Sequence, residues 1–361
     1  MNQHYVPRVY LKNFAIKRGK EFYVDVYDKL TQKIFNTNII NICSEKDFYT
    51  LDQDSDISNN KLIIEKIYSD GLEPMYDKAY KLLTNDNIRV ISNLQRSEIL
   101  IGIFQLYVRN PRIMENSLAY HRQEITRLCE LARAEQKKGM SYLSEDFSFR
   151  EWGEQSIITY FTAKVKKFFK EKHVNGIGEI GTFHEFAKFE VNSITGHAKY
   201  LTSDNPLIFQ DIIDQGDEHP MTKSKDFYLP LNQKYTLRIY HDKDVPLNII
   251  NRFQSSSGNS ILNNSDIFKH ASRFVIGDKS AMGTYLETVP MLEDTSIALK
   301  MKAIREVIEK VPASEDTADM IQLFRQYLNI YDTTGTLTPQ QERDFYKEFT
   351  AEKVAWKKSR I

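Results

Sequence analysis

Hydrophobic periodicity changes twice along this chain, and the order of those changes limits the fold more than any single motif. From Glu21 to Asp28, Phe22, Val24 and Val26 fall on one side and Tyr23, Asp25 and Tyr27 on the other, the period of two expected of a half-buried strand. A polar turn from Asp28 to Lys33 leads to Ile34 and Phe35, so the spacing predicts a hairpin within the first 50 residues. From about Asn60 the period becomes helical: Leu62, Ile63, Ile67 and Leu72 share a face, and Ile99, Ile103, Leu106 and Tyr107 share another on a helix beginning near Ser92. Pro111 interrupts this pattern, because it lacks an N–H and its ring clashes with the preceding turn. Further helices are predicted from Pro111 to about Glu135 and from Glu151 to His173.

Strand-like patterns return at Phe183–Phe189, Ala198–Leu201 and Tyr235–Tyr240, followed by a helix over Asn259–His270 and a short strand over Arg273–Ile276. Beyond Leu292 the pattern is helical, with Asp316 and the Thr338-Pro339-Gln340-Gln341 run read as N-terminal caps. Strands, then helices, then strands predict an α+β architecture rather than a βαβ alternation. The helical segment covers about 60–173, the later strands complete the sheet, and the expected division is a domain over 1–290 with a helical extension over 291–361.

Composition narrows the function classes. The 49 basic and 49 acidic side chains cancel, so there is no global attraction to nucleic acid or anionic membrane, and any such contact must be local. Two distant cysteines, Cys43 and Cys129, form neither a disulfide framework nor a zinc cluster. With no apolar run of membrane-spanning length and no leader-like start, a cytoplasmic location is expected.

Four segments carry candidate chemistry. His4-Tyr5-Val6-Pro7-Arg8 welds titratable groups to an apolar run, Val6 to Phe14, whose Pro7 fixes the backbone. His4 then reads as a proton-transfer group or a turn cap, and Arg8 as a phosphate fork or a carboxylate partner. Gln105 and Arg109 are four apart on one helix face just before Pro111. They either project into a cleft or complete the helix terminus. Thr202-Ser203-Asp204-Asn205-Pro206 has turn chemistry throughout, yet Asp204 at a strand end also suits a general base or a metal ligand. Lys164 to His173 interleaves lysines with aromatics; Lys166 and Lys167 read as phosphate contacts or as a solvated helix face. Asn175 to Gly181 is glycine-rich, but its third glycine is wrongly spaced for a dinucleotide loop.

In this order the segments resemble a mostly bacterial family known as domain of unknown function 4238. The resemblance rests on His4, Val6, Pro7, Arg8, Tyr10, Leu11 and Phe14, on Tyr27-Asp28, Phe48-Tyr49-Thr50 and Glu65, and on Gln105, Arg109 and Pro111. It continues through Thr202 to Pro206, Pro230-Leu231, Asn259, Ala271 and Arg273, so that it spans about residues 2–280. Some members resembling this chain lie in phage and satellite defence loci, so the resemblance implies an antiviral role.

The shared His, Arg, Gln, Asp and Asn residues suit phosphodiester chemistry. The expectation is a nuclease, ribonuclease favoured, with His4, Asp204 and Arg109 catalytic and Arg8, Gln105, Asn205, Lys166 and Lys167 holding RNA. Whether a divalent metal takes part is open. The rival expectation is a non-enzymatic sensor of a phage protein.

Overall fold

The structure is a computed structural model. It describes residues 2–293, apart from 54, 56, 196, 212–224 and 256, together with 304, 305, 308, 318–334, 337, 341, 344 and 348. The chain divides into two compact units, Met1–Gly283 and Thr284–Ile361.

The first unit is α+β. Strand β1 (Asn2–His4) is followed by the single turn α1 (Arg8–Leu11) and by β2 (Ile16–Arg18), β3 (Glu21–Asp28), β4 (Lys33–Asn38) and β5 (Ser44–Lys46). The expected alternation holds: Val24 and Val26 are buried on one face of β3. One edge of β3 pairs antiparallel with β4, while the other is shared between β2 at Glu21–Tyr23 and the late strand β14 (Phe274–Gly277). The two-residue β9 (Thr202–Ser203) adds on the far side of β14.

The second sheet has the order β10 (Ile208–Asp211), β11 (Lys225–Pro230), β12 (Tyr235–Tyr240), β8 (Lys188–Ile194) and β13 (Ile250–Ser255), antiparallel except for the β8–β13 pair. Phe189, Val191, Phe227, Leu229, Leu237 and Ile239 alternate onto its buried face. They join one core with Tyr10, Phe14, Val26, Tyr76, Ile103 and Phe104.

Helices fill the space between the sheet-forming segments. They are α2 (Ile63–Ile67), a π-helical turn (Tyr68–Leu72), α3 (Glu73–Leu83), α4 (Asn93–Val108), α5 (Pro111–Ala134) and α6 (Glu154–Phe183). Ser92 caps α4 in a reciprocal capping box with Gln95, and Pro111 stands at the first position of α5, where its missing N–H costs nothing. Helices α3 and α4 approach so closely that a Cβ on Gly102 would lie 3.1 Å from the Tyr76 backbone. Near the start of α6, residues of α5 and α6 and the hairpin β6–β7 (Gly139–Tyr142, Glu145–Ser148) form a separate aromatic core around Tyr142, Phe147 and Phe161.

Helix α7 (Ser257–His270) precedes β14, and α8 (Lys279–Glu293) follows it. In the second unit, α9 (Ala318–Thr334) supplies Leu323, Phe324, Tyr327 and Leu328 to a small core with Ile304 and Leu337. No helix among the described residues is long and apolar enough to cross a membrane.

Several expected elements differ. Helix α6 continues through the glycine-rich Asn175–Gly181 stretch to Phe183, so the strand expected at Phe183 starts only at Lys188. Its buried stripe of Phe169, His173, Ile177 and Ile180 explains why: tertiary burial outweighs the roughly 1 kcal/mol that each glycine costs a helix. Ala198–Leu201 is not a strand; pairing begins at Thr202. The Asp316 and Thr338-Pro339-Gln340 caps lie outside the described residues.

Candidate functional site around Arg109

The N-terminal segment is held at both ends. β1 pairs with β5, His4 opposite Ser44, and Tyr49 N–H donates to the Gln3 Oε1 at 2.5 Å. Pro7 then turns the chain into α1, where Tyr10 is fully buried and donates its hydroxyl to the Pro230 carbonyl at 2.8 Å. His4 therefore has a fixed position, although it lies four residues from the start of the sequence.

Arg109 is the centre of the cluster. It caps the end of α4 and is only 1% exposed. Its Nη2 donates to the His4 carbonyl, and its Nη1 pairs with Glu73 Oε1 at 3.2 Å. The guanidinium stacks over Tyr68 with its carbon 4.1 Å from the ring centre. Tyr49 donates its hydroxyl to the Arg109 carbonyl. Gln105, one turn earlier, donates to the Leu72 carbonyl and to Gly102.

The π-helical turn explains how Glu73 pairs with Arg109 while Glu65 stays within its field. Along a regular helix, eight positions rotate a side chain by about 80° out of line. Five residues at roughly 4.4 per turn remove about that angle, so Glu65 and Glu73 return to one side. Tyr68, at the start of the wide turn, supplies the aromatic face.

The polar atoms here are incompletely bonded. His4 Nε2, Glu65 Oε2, Tyr68 Oη, Gln105 Oε1, Arg109 Nε and His173 Nε2 are all buried without a hydrogen-bond partner. Isolated groups of this kind are rare in folded proteins. Burial lowers His4 to about 4, helped by the charges of Arg8 and Arg109, while hydrogen bonds to the Ile39 and Ile40 backbone oppose the shift. Burial lowers His173 to about 4 as well. Its Nδ1 lies 2.6 Å from the Phe169 carbonyl, so that nitrogen carries the proton and Nε2 presents a lone pair. Its ring stacks on Phe169 and Tyr49, centroids 4.7 and 5.1 Å apart.

Glu65 moves the other way. Burial pushes its carboxyl above the ordinary value and Glu73 adds to the rise, against Arg109 and Arg8. Arg8 itself is exposed, and its charge acts on both His4 and Glu65. The arrangement thus combines two neutral imidazoles, a carboxyl biased toward protonation and an exposed guanidinium. These are groups able to move protons beside an anion.

The structure gathers His4, Arg8, Gln105 and Arg109, and places the other expected residues differently. Asp204 accepts backbone N–H bonds from Ser272, Arg273 and Phe274 at 2.8, 2.7 and 2.9 Å. Its own carbonyl receives the Asn110 side chain at 2.8 Å. The Asn205 amide nitrogen donates to the His270 carbonyl at 3.2 Å. With both carboxylate oxygens engaged, Asp204 locks β9 to β14 and is a poor proton carrier or metal ligand. Lys166 is exposed and Lys167 half-buried on α6, outside the buried cluster. Among the described residues, no group of three or more His, Cys, Asp or Glu side chains is placed to hold a metal ion.

Sequence reading missed Glu73, Tyr49, Tyr68 and His173 as site residues. Phe48-Tyr49-Thr50 and Glu65 carried the resemblance without an assigned role, and His173 closed a lysine run. The π turn has no sequence signature that would have brought Glu65 and Glu73 together.

Fold and site together define an α+β protein whose N-terminal strand and central helices enclose a charged, histidine-containing cluster. The chain belongs to the family described as protein of unknown function DUF4238, whose model matches residues 2–281. Comparison with curated proteins and with solved structures finds no match.

Proposed function

We propose that the chain is a cytoplasmic antiviral effector that cleaves RNA at the cluster around His4, Glu65, Arg8 and Arg109. One observation carries this reading: the His4 imidazole, held neutral, and the Glu65 carboxyl, biased toward protonation, are both partly buried in the field of the same two arginines, Arg8 and Arg109. Opposite shifts of neighbouring titratable groups mark a base and an acid.

In the proposed reaction, His4 Nε2 takes the proton of a ribose 2′-hydroxyl, and the 2′-oxygen attacks phosphorus. The bond from phosphorus to the 5′-oxygen breaks, Glu65 protonates that oxygen, and a 2′,3′-cyclic phosphate forms. Arg8 offsets the charge developing on the phosphoryl oxygens. Arg109, held by Glu73 and the His4 carbonyl, positions His4.

Phage challenge tests the role. Cells expressing the wild-type chain should lower phage plating, and His4→Ala and Glu65→Gln should abolish the effect at equal protein levels. Full protection by both variants would remove the site assignment.

A second reading, a sensor that docks a phage protein, draws on the β6–β7 hairpin. At its tip Leu143 is 61% exposed and left-handed, φ 49°, beside Ser144 at φ 65°. The two-residue loop requires that conformation and leaves the leucine side chain in solvent, where a partner could cover it. Leu143→Asp with unchanged protection argues against it.

A further inference from the structure

We propose that single-stranded RNA reaches the cluster along one face of α6, that of Lys166, Lys170 and His173, with Asp52 as an internal competitor for Lys170. The inference rests on the RNA reading above and adds the path and form of the substrate.

Positions 166, 170 and 173 repeat at four and three residues, so they fall on one stripe of a helix. His173 ends the stripe inside the site, stacked on Tyr49, whose hydroxyl bonds the Arg109 carbonyl. Lys170, one turn back, pairs with Asp52 at 3.0 Å. Lys166, a further turn away, is exposed and has no ion pair among the described residues. Four residues rise about 6 Å along the axis, a separation that consecutive phosphates of an extended strand span. The stripe therefore offers two ammonium groups in line with an imidazole.

The opposite side of the helix does not converge on the site. There Lys164 is tied to Glu145, and Phe168, 67% exposed, faces away from the stripe. The stripe also reconciles RNA binding with a chain of zero net charge, since the attraction is local. Asp52 is half-exposed in its pair with Lys170, and such a pair contributes little to stability. Incoming phosphate can displace it, and removing it should favour binding.

The test is fluorescence anisotropy of a labelled, unstructured single-stranded RNA with the full chain across a salt series, beside cleavage of the same RNA. Lys166→Gln and Lys170→Gln should each weaken binding about threefold to tenfold and each reduce the slope of log affinity against log salt by about 0.7. Asp52→Asn should tighten binding about twofold to threefold, a gain that misfolding cannot produce. If the wild type binds and cuts RNA while all three variants match it in affinity and slope, the path is wrong and the catalytic reading stands. If the wild type neither binds nor cuts RNA, both fall.

Discussion

Half-buried Glu65 and buried Asp204 both have pKa values raised by desolvation, yet their surroundings give them opposite consequences on substitution. Asp204→Ala would leave three backbone N–H groups at Ser272, Arg273 and Phe274 without their acceptor, at a cost of about 2–4 kcal/mol. Denaturant unfolding should show that loss for Asp204→Ala and less than about 1 kcal/mol for Glu65→Gln, whose Oε2 bonds nothing. The histidines give a pH signature. His4 and His173 are neutral in the folded chain down to about 4, whereas unfolded histidine charges near 6.5. Between those values the unfolded state holds protons that the folded state excludes, so stability falls as pH falls from about 6.5 to about 4. For His173, which is well buried, the difference is on the order of 3 kcal/mol. His173→Phe, which keeps the stack on Phe169 and Tyr49, should flatten urea-measured stability across that window. An unchanged pH slope would mean that His173 is not held neutral.

The π turn at Tyr68–Leu72 is the element on which the geometry depends. Deleting Gly71, whose position leaves open space around its Cα, should let the segment regularise into α-helix. Seven positions would then separate Glu65 from Glu73, within about 20° of alignment, so Glu73 should stay beside Arg109 and protection should persist with helical circular dichroism. Loss of protection in a variant that keeps its helical signal would contradict this geometry. This element also shows where sequence reading stops. Helix α4, the Pro111 break and alternating β3 were legible, because each follows from a local period or a missing N–H. A wide helical turn, a helix running through Gly176, Gly178 and Gly181, and the β6–β7 hairpin were not, because tertiary contacts decide them. His4 and Arg109 were legible as unusual, one beside Pro7 and the other before Pro111. Their meeting, through the His4 carbonyl, was not.

The chain divides at a position that cuts no sheet among the described residues. Among the described residues all fourteen strands lie before Gly283, and the family match ends at residue 281. Residues 1–293, which keep α8 whole, should fold alone with one cooperative transition by near-ultraviolet circular dichroism; a molten far-ultraviolet-only signal would contradict this. Order along the chain was sufficient to predict α+β, since strands at both ends of a helical run must meet for β3 to pair with β14. The account of function is decided by one assay. Purified full chain is incubated with end-labelled single-stranded RNA from pH 4 to 9, beside His4→Ala, and the products are examined for a cyclic phosphate terminus. The account predicts 2′,3′-cyclic phosphate from the wild type, activity falling away near and below about pH 4 as His4 becomes protonated, and at least a hundredfold loss in His4→Ala. Intact RNA at every pH, or equal cleavage by His4→Ala, would contradict it.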